Sequence, residues 1–292
     1  MHLTTPLEPQ SFADLMQLDL VDGAYQGRYG LANLTGNVFG GQLMAQALSC
    51  IVTATPEERA LRSLHASFLR PHPLTRCPRF STQLLLQGKQ FSNWDVRVLN
   101  EGQPCLSVSL CLQGPAESPV HGGRAPQVVP AEQLVNLTDL ASELASRLST
   151  GAARLLRTPQ LYDLRPVDAQ AFLFCEGQPN RVRYWMRSRL PLGEDARAHE
   201  AALIYMSDAW TNSPMLLPHI ETRLTRAVFA PTLSHSLWLH QRTRADDWLL
   251  FDLHCPALNG GAGLITGAIY TRAGDLVANL AQHALYRSVP AS

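Results

Sequence analysis

The feature that most restricts how this chain can fold is an order of elements that occurs twice. In the first half, apolar spacing predicts a helix over residues 42–52, strands over 63–70, 79–86 and 92–99, a turn at 100–103 and a closing strand over 104–112. In the second half it predicts a helix over 199–209, strands over 232–240, 248–255 and 264–272, a turn at 272–275 and a closing strand over 276–286. Gly102 aligns with Gly274, and His65 with His235, at nearly one offset, so the order reads as an internal duplication at domain scale. A helix followed by antiparallel strands makes each half α+β, with a sheet able to wrap around its helix. Alternation is clearest near the end of the first half. Leu106, Val108, Leu110 and Leu112 share one face there, while Cys105, Ser107, Ser109 and Cys111 share the other.

A chain of 292 residues that is 46% hydrophobic can furnish cores for two such halves. Between them, Pro115, Pro119, Gly122, Gly123, Pro126 and Pro130 mark residues 114–130 as a linker. Leu134, Leu137, Leu140, Leu144 and Leu148 then recur at helical spacing, predicting one amphipathic helix before Pro159. The expected organisation is a repeat over 1–113, a linker with one helix over 114–165, and a repeat over 166–292 that carries the catalytic residues. The 24 basic and 24 acidic side chains cancel, which argues against a nucleic-acid partner or a polybasic membrane anchor. Six cysteines without a C-x-x-C spacing, and no charged segment leading into an apolar one near the start, set the expectation of reduced thiols and a cytoplasmic protein. No apolar run approaches the roughly 18 residues that cross a bilayer.

Several chemical signatures are missing. There is no G-x-S-x-G elbow and no H-E-x-x-H. His235 and His240 fall on opposite faces of one strand, which argues against a shared metal. Gly261-Ala262-Gly263 with Gly267 reads as a loop or bulge rather than a dinucleotide loop, because strand residues follow it. No metal and no cofactor are therefore expected. Arg181, Arg183, Arg187 and Arg189 share a strand face with Trp185, which reads either as a solvated face or as a landing site for phosphates.

Three polar residues stand on faces that should be apolar. Asp208 lies on the helical stripe of Ala201, Ile204 and Tyr205, where desolvation would raise its pKa as a general base requires. Gln282 is in strand phase with Leu276, Ala278 and Leu280, whereas the matching position in the first half is Leu110. Thr232 opens the strand after the helix, where the first half has Arg62. Each of the three also reads as a satisfied core polar group.

At these residues the chain resembles the acyl-CoA thioesterase II family, which has a double hotdog fold. The resemblance is carried by Val38-Phe39-Gly40-Gly41-Gln42, Phe68-Leu69-Arg70-Pro71, Arg165-Pro166-Val167-Asp168 and Tyr205-Met206-Ser207-Asp208. It continues in His235-Ser236-Leu237-Trp238-Leu239-His240, Asp247-Trp248-Leu249-Leu250 and residues 274–282. It implies an α+β double hotdog, two tandem repeats each with a central helix wrapped by an antiparallel sheet. It further implies an acyl-CoA substrate, a homo-oligomer, and a hydrolytic water held by an Asp, a Thr or Ser, and a Gln, which match Asp208, Thr232 and Gln282. Candidate substrate contacts are Gly40, Gly41, Gln42 and His65. Two positions depart from the family pattern. Where the family usually has two arginines after a Phe-Ser pair, this chain has Phe91-Ser92-Asn93-Trp94-Asp95, and the acidic residue that often follows the Gln is His283.

A thioester suits such a site. Its carbonyl has little resonance stabilisation, and its thiolate leaving group has a conjugate acid near a pKa of about 8.5, so a base that orients water suffices without a strong acid. Two other readings are an enoyl-CoA hydratase or dehydratase and a non-catalytic acyl-CoA-binding module. The first needs an Asp/His pair facing substrate; its closest candidate, His235, is out of strand phase with Thr232.

Overall fold

A computed structural model describes residues 5–33, 35–148, 156–157, 160–175, 180–220 and 228–288. In chain order the first elements are helix α1 (Phe12–Leu15), strands β1 (Leu18–Val21) and β2 (Ala24–Gly27), helix α2 (Gly40–Ser49), and strands β3 (Ala60–Phe68), β4 (Arg79–Gln87), β5 (Phe91–Asn100) and β6 (Gln103–Gln113). Then come α3 (Leu137–Glu143), β7 (Tyr162–Pro166), α4 (Ala169–Phe174), β8 (Arg181–Ser188), α5 (Ala196–Asp208) and α6 (Ser213–Leu216). The chain closes with β9 (Val228–Phe229), β10 (Thr232–Leu239), β11 (Leu249–Asn259), β12 (Ala262–Thr271), β13 (Leu276–Leu285) and β14 (Arg287–Ser288). This is the double hotdog α+β arrangement, antiparallel sheet with few helices.

The residues gather into two compact units whose segments interleave along the chain. The first comprises Met1–His121, Leu192–Ala209 and Leu233–Ala245. Its strands pair antiparallel in the order β1-β2-β4-β5-β6-β3-β10. The predicted alternation in β6 is seen directly, with Leu106, Val108, Leu110 and Leu112 all at most 1% exposed. Helix α2 lies against β5 and β6 and against α5, burying Leu43, Met44 and Leu48. Each such side chain removed from water stabilises the fold by about 1.5–3 kcal/mol. Helix α5 is held by Glu200, a buried carboxylate that accepts from Leu61 N–H at 3.2 Å, Arg242 Nε at 3.3 Å and Arg197 Nη1 at 3.0 Å. A buried charge requires such partners.

The second unit comprises Gly122–Pro191, Trp210–Thr232 and Asp246–Ser292. Its main strands pair antiparallel in the order β13-β12-β11-β8-β7. Tyr184 stacks on Phe251 at 5.2 Å, and Ala131, Trp185, Trp248 and Leu250 form a further apolar cluster. Gly261 sits in the turn before β12, and Gly263 and Gly267 lie within that strand, so these glycines serve sheet geometry.

Some elements differ from expectation. Helix α2 starts at Gly40, two residues early, because Phe39 is extended and the helical path begins directly after it. The connecting helix is shorter than the leucine spacing predicts: Leu137, Leu140 and Ala141 are buried on α3, but Leu144 leaves helical geometry at φ −103°, ψ 17°. Residues 149–155 and 158–159 of that expectation lie outside the described residues. The β1–β2 hairpin was not anticipated, although Asp22 and Gly23 both take positive φ, 51° and 76°, as a two-residue hairpin turn requires. Residues 114–130 carry no helix or named strand, and Arg124 reaches Asp275. Among the described residues, no helix is long and apolar enough to cross a membrane.

Candidate active site

The first unit brings together the start of α2 and the end of α5. Phe39, the residue before α2, makes no side-chain cap, so the first backbone N–H groups of the helix lack the acceptor that a Ser or Asp would supply. Asp208 is the last residue of α5 and is half-buried. A methyl group placed on Gly40 would lie 2.9 Å from Asp208 Oδ2 and 2.8 Å from Phe68 Cε1. One on Gly41 would lie 2.6 Å from the Tyr205 carbonyl oxygen. The two glycines are what let α2 approach α5 this closely, and the positive end of the α2 dipole is thereby set beside a carboxylate. Tyr205 is clasped edge-on by Phe39 at 4.9 Å and Phe12 at 5.0 Å.

Next to Asp208 is a pair that the sequence does not announce. Ser207 and His235 are both fully buried, with Ser207 Oγ 2.9 Å from His235 Nε2. The Ser207 hydroxyl donates to Ile204 O at 2.8 Å, so its oxygen accepts from the imidazole. A serine whose proton is given to a backbone carbonyl, and which no solvent reaches, is not a nucleophile. The same burial keeps His235 from forming the substrate-facing Asp/His pair that a hydratase needs.

The other candidates in this unit are placed as follows. Gln42 is fully buried; its Nε2 donates to Tyr29 O at 2.9 Å and to Gln46 Oε1, and its Oε1 accepts from Leu31 N–H at 2.8 Å. Its amide therefore braces the segment leading into α2. His65 is exposed on the face of β3 opposite Leu64 and Ala66, and its Nδ1 lies 3.0 Å from Ser236 Oγ. In the departing segment at 91–95 only Ser92 and Trp94 turn inward, and Phe91 is exposed. Ser92 is buried against Arg59 and Gln87, Trp94 is 7% exposed, and Asp95 pairs with Arg97.

His72 supports the approach to α2, its carbonyl accepting from Val38 N–H at 2.8 Å. Its ring is 2% exposed, and Nε2 is buried without a hydrogen-bond partner. Burial pushes the imidazole below its usual pKa, and the charge of Arg76 acts in the same direction, against the pull of the Pro73 carbonyl. As pH falls through about 6.5, the unfolded chain takes up a proton at His72 that the folded chain resists, so stability falls. Between pH 7.5 and 5.5, His72→Gln is expected to show a smaller drop in melting temperature than the wild type; parallel curves would contradict this.

In the second unit Gln282 is 1% exposed, and its Nε2 donates to Asn212 Oδ1 at 2.7 Å. Asn212 Nδ2 in turn donates to Ala230 O at 2.8 Å. Ala230 stands two residues before Thr232, the half-buried first residue of β10. The arginine face of β8 is occupied by carboxylates: Arg181 and Arg183 hold the buried Asp252, and Arg187 holds Asp163 while lying over Trp248 at 4.5 Å. Among the described residues no group of three or more His, Cys, Asp or Glu is placed to hold a metal.

Comparison with known families decides what this site belongs to. Residues 32–113 match the acyl-CoA thioesterase N-terminal domain, and residues 130–286 match the acyl-CoA thioesterase C-terminal domain. The chain belongs to the acyl-CoA thioesterase family. Acyl-coenzyme A thioesterase 8 of Mus musculus is 27% identical over 288 residues, 96% of this chain and 89% of that protein. Acyl-CoA thioesterase 2 of Haemophilus influenzae is 26% identical over 250 residues, 86% of this chain and 87% of that protein. Among solved structures, the acyl-CoA thioesterase II TesB2 of Mycobacterium marinum superposes with a TM-score of 0.77 at 25% identity, covering 96% of this chain and 98% of that one. Membership makes the chain a thioester hydrolase.

Proposed function

We propose that this protein hydrolyses acyl-CoA to free fatty acid and CoA. Asp208 takes a proton from water, and Thr232 and Gln282 hold that water. A backbone N–H at the start of α2, beside Gly40 and Gly41, polarises the thioester carbonyl. The water oxygen bonds to the carbonyl carbon, the carbon–sulfur bond breaks, and the leaving thiolate regains a proton as CoA. The observation that supports this reading is the Asp208 carboxyl beside the start of α2, where Phe39 supplies no side-chain cap, an arrangement that suits a base and an oxyanion donor acting together. The roles of Thr232 and Gln282 rest on the family resemblance and on the burial of Gln282.

The reading keeps residues 1–113 and 166–292 as two repeats joined by 114–165, acting in cytoplasmic fatty acid metabolism as a homo-oligomer. The exposure of Leu84, Leu85, Leu86 and Phe91 on β4 and β5 supports the last point, since large apolar side chains left in water favour being covered. Free-thiol release measured with short, medium, long and bulky acyl-CoAs tests the activity. Enzyme-dependent thiol release with at least one chain class is expected. Acyl-CoA binding without thiol release would establish a non-catalytic binding module instead.

A further inference from the structure

Coenzyme A carries a diphosphate and a ribose phosphate. A chain whose 24 basic and 24 acidic side chains cancel has no net charge to attract them, so local cations must do so. The segment 91–95, where the family usually has arginines, holds none. Most cations of the first unit are already matched: Arg28, Arg76, Arg79, Arg97, Arg242 and Arg244 each pair with a carboxylate. Among the described residues of that unit, Arg59, Arg62, Arg70 and Lys89 do not.

Position separates these four. Arg59 donates to the carbonyls of Gly88 and Lys89, and its own carbonyl accepts from Arg242, a partner of Glu200. Arg62 adjoins Leu61, whose N–H also meets Glu200. Glu200 is about 12 Å from Asp208 along α5, and Leu61 about 23 Å from Phe68 along β3. Arg59, Arg62 and Lys89 thus gather at the end of the unit away from Asp208. Arg70 stands at the other end. On one side of it, the Phe68 ring is what a methyl on Gly40 would meet at 2.8 Å; on the other, the His72 carbonyl accepts from Val38 N–H at 2.8 Å. Its backbone is therefore bracketed by two contacts with the entry to α2, at most about 7 Å along the chain from either residue that makes them. Its side chain is exposed, and Nη1 donates to Pro104 O at 3.0 Å. That neutral anchor orients the guanidinium without matching its charge, and the donor fork of a guanidinium suits phosphate oxygens.

We propose that Arg70 binds a phosphate of the CoA moiety and so holds the substrate at the entry to α2. Arg70 does no chemistry there; it supplies binding that is the same before and during reaction.

This rests on the thioesterase reading above, and the test separates the two. Thiol release by the wild type and Arg70→Gln is measured with one acyl group carried on CoA, on dephospho-CoA and on pantetheine, and CoA binding is measured directly. Arg70→Gln is expected to raise KM for acyl-CoA roughly tenfold with kcat little changed, as loss of a charge-assisted hydrogen bond would do. With acyl-pantetheine, which has no phosphate, the two proteins should give the same kcat/KM. A penalty kept with acyl-dephospho-CoA assigns Arg70 to the diphosphate, and one that disappears assigns it to the ribose phosphate. An unchanged KM for acyl-CoA would overturn the proposal, as would an equal loss with acyl-pantetheine, which would mark a structural role. A wild type that releases no thiol, but whose CoA binding Arg70→Gln weakens tenfold, would overturn the thioesterase reading and leave the phosphate contact standing.

Discussion

Asp208→Asn is expected to fold normally and to lose acyl-CoA hydrolysis, kcat falling by on the order of 10²–10⁴-fold. The carboxamide matches the carboxylate in shape, so the close approach to Gly40 at the start of α2 is preserved. What it loses is basicity. A water beside an amide keeps its protons and is a poor nucleophile for even a weakly stabilised thioester. KM should change little, since substrate binding does not draw on proton transfer. Thiol release near the wild-type rate would remove Asp208 from the mechanism, and a collapsed melting temperature would show that its role is in holding α5.

The two glycines at the start of α2 should respond to substitution in different ways, since what lies beside each is different. At Gly41 an added methyl would meet the Tyr205 carbonyl oxygen at 2.6 Å, and backbone cannot swing aside. Gly41→Ala therefore forces α2 and α5 apart, with a stability loss of about 1–3 kcal/mol typical of overpacking. At Gly40 the nearest atoms the methyl would meet belong to side chains, Phe68 Cε1 at 2.8 Å and Asp208 Oδ2 at 2.9 Å, which can yield. Gly40→Ala is expected to keep most of the stability but to displace the carboxylate, and a misplacement near 1 Å costs about 10²-fold in rate. Melting temperature and kcat/KM measured on both variants check the contrast. Equal stability losses would mean that Phe68 and Asp208 are too rigid to move.

The candidate base was legible in the chain because a carboxylate on an apolar helical stripe is a visible misfit, and Asp208 needs no distant partner to be noticed. Gln282 stood out in the same way, against its apolar strand neighbours. Ser207, His235 and Asn212 did not. Each is an ordinary residue locally and acquires meaning only from a partner 28 or 70 positions away in the chain. Gln42, expected at the substrate, has its amide engaged with Tyr29, Leu31 and Gln46. The arginines of β8, whose spacing allowed a phosphate site, are matched by Asp252 and Asp163 from neighbouring strands.

Strand and helix identity thus followed from periodicity, because alternation at two and recurrence at 3.6 are local properties that burial on one face imposes on any segment. The duplication, the turn at Gly102 and the buried face of β6 were all readable on that basis. The early start of α2, the truncation of α3, and the meeting of Asp208 with Gly40 were decided by tertiary structure. Those outcomes depend on which backbone passes close to which, and a local sequence pattern carries no term for the approach of a segment far along the chain.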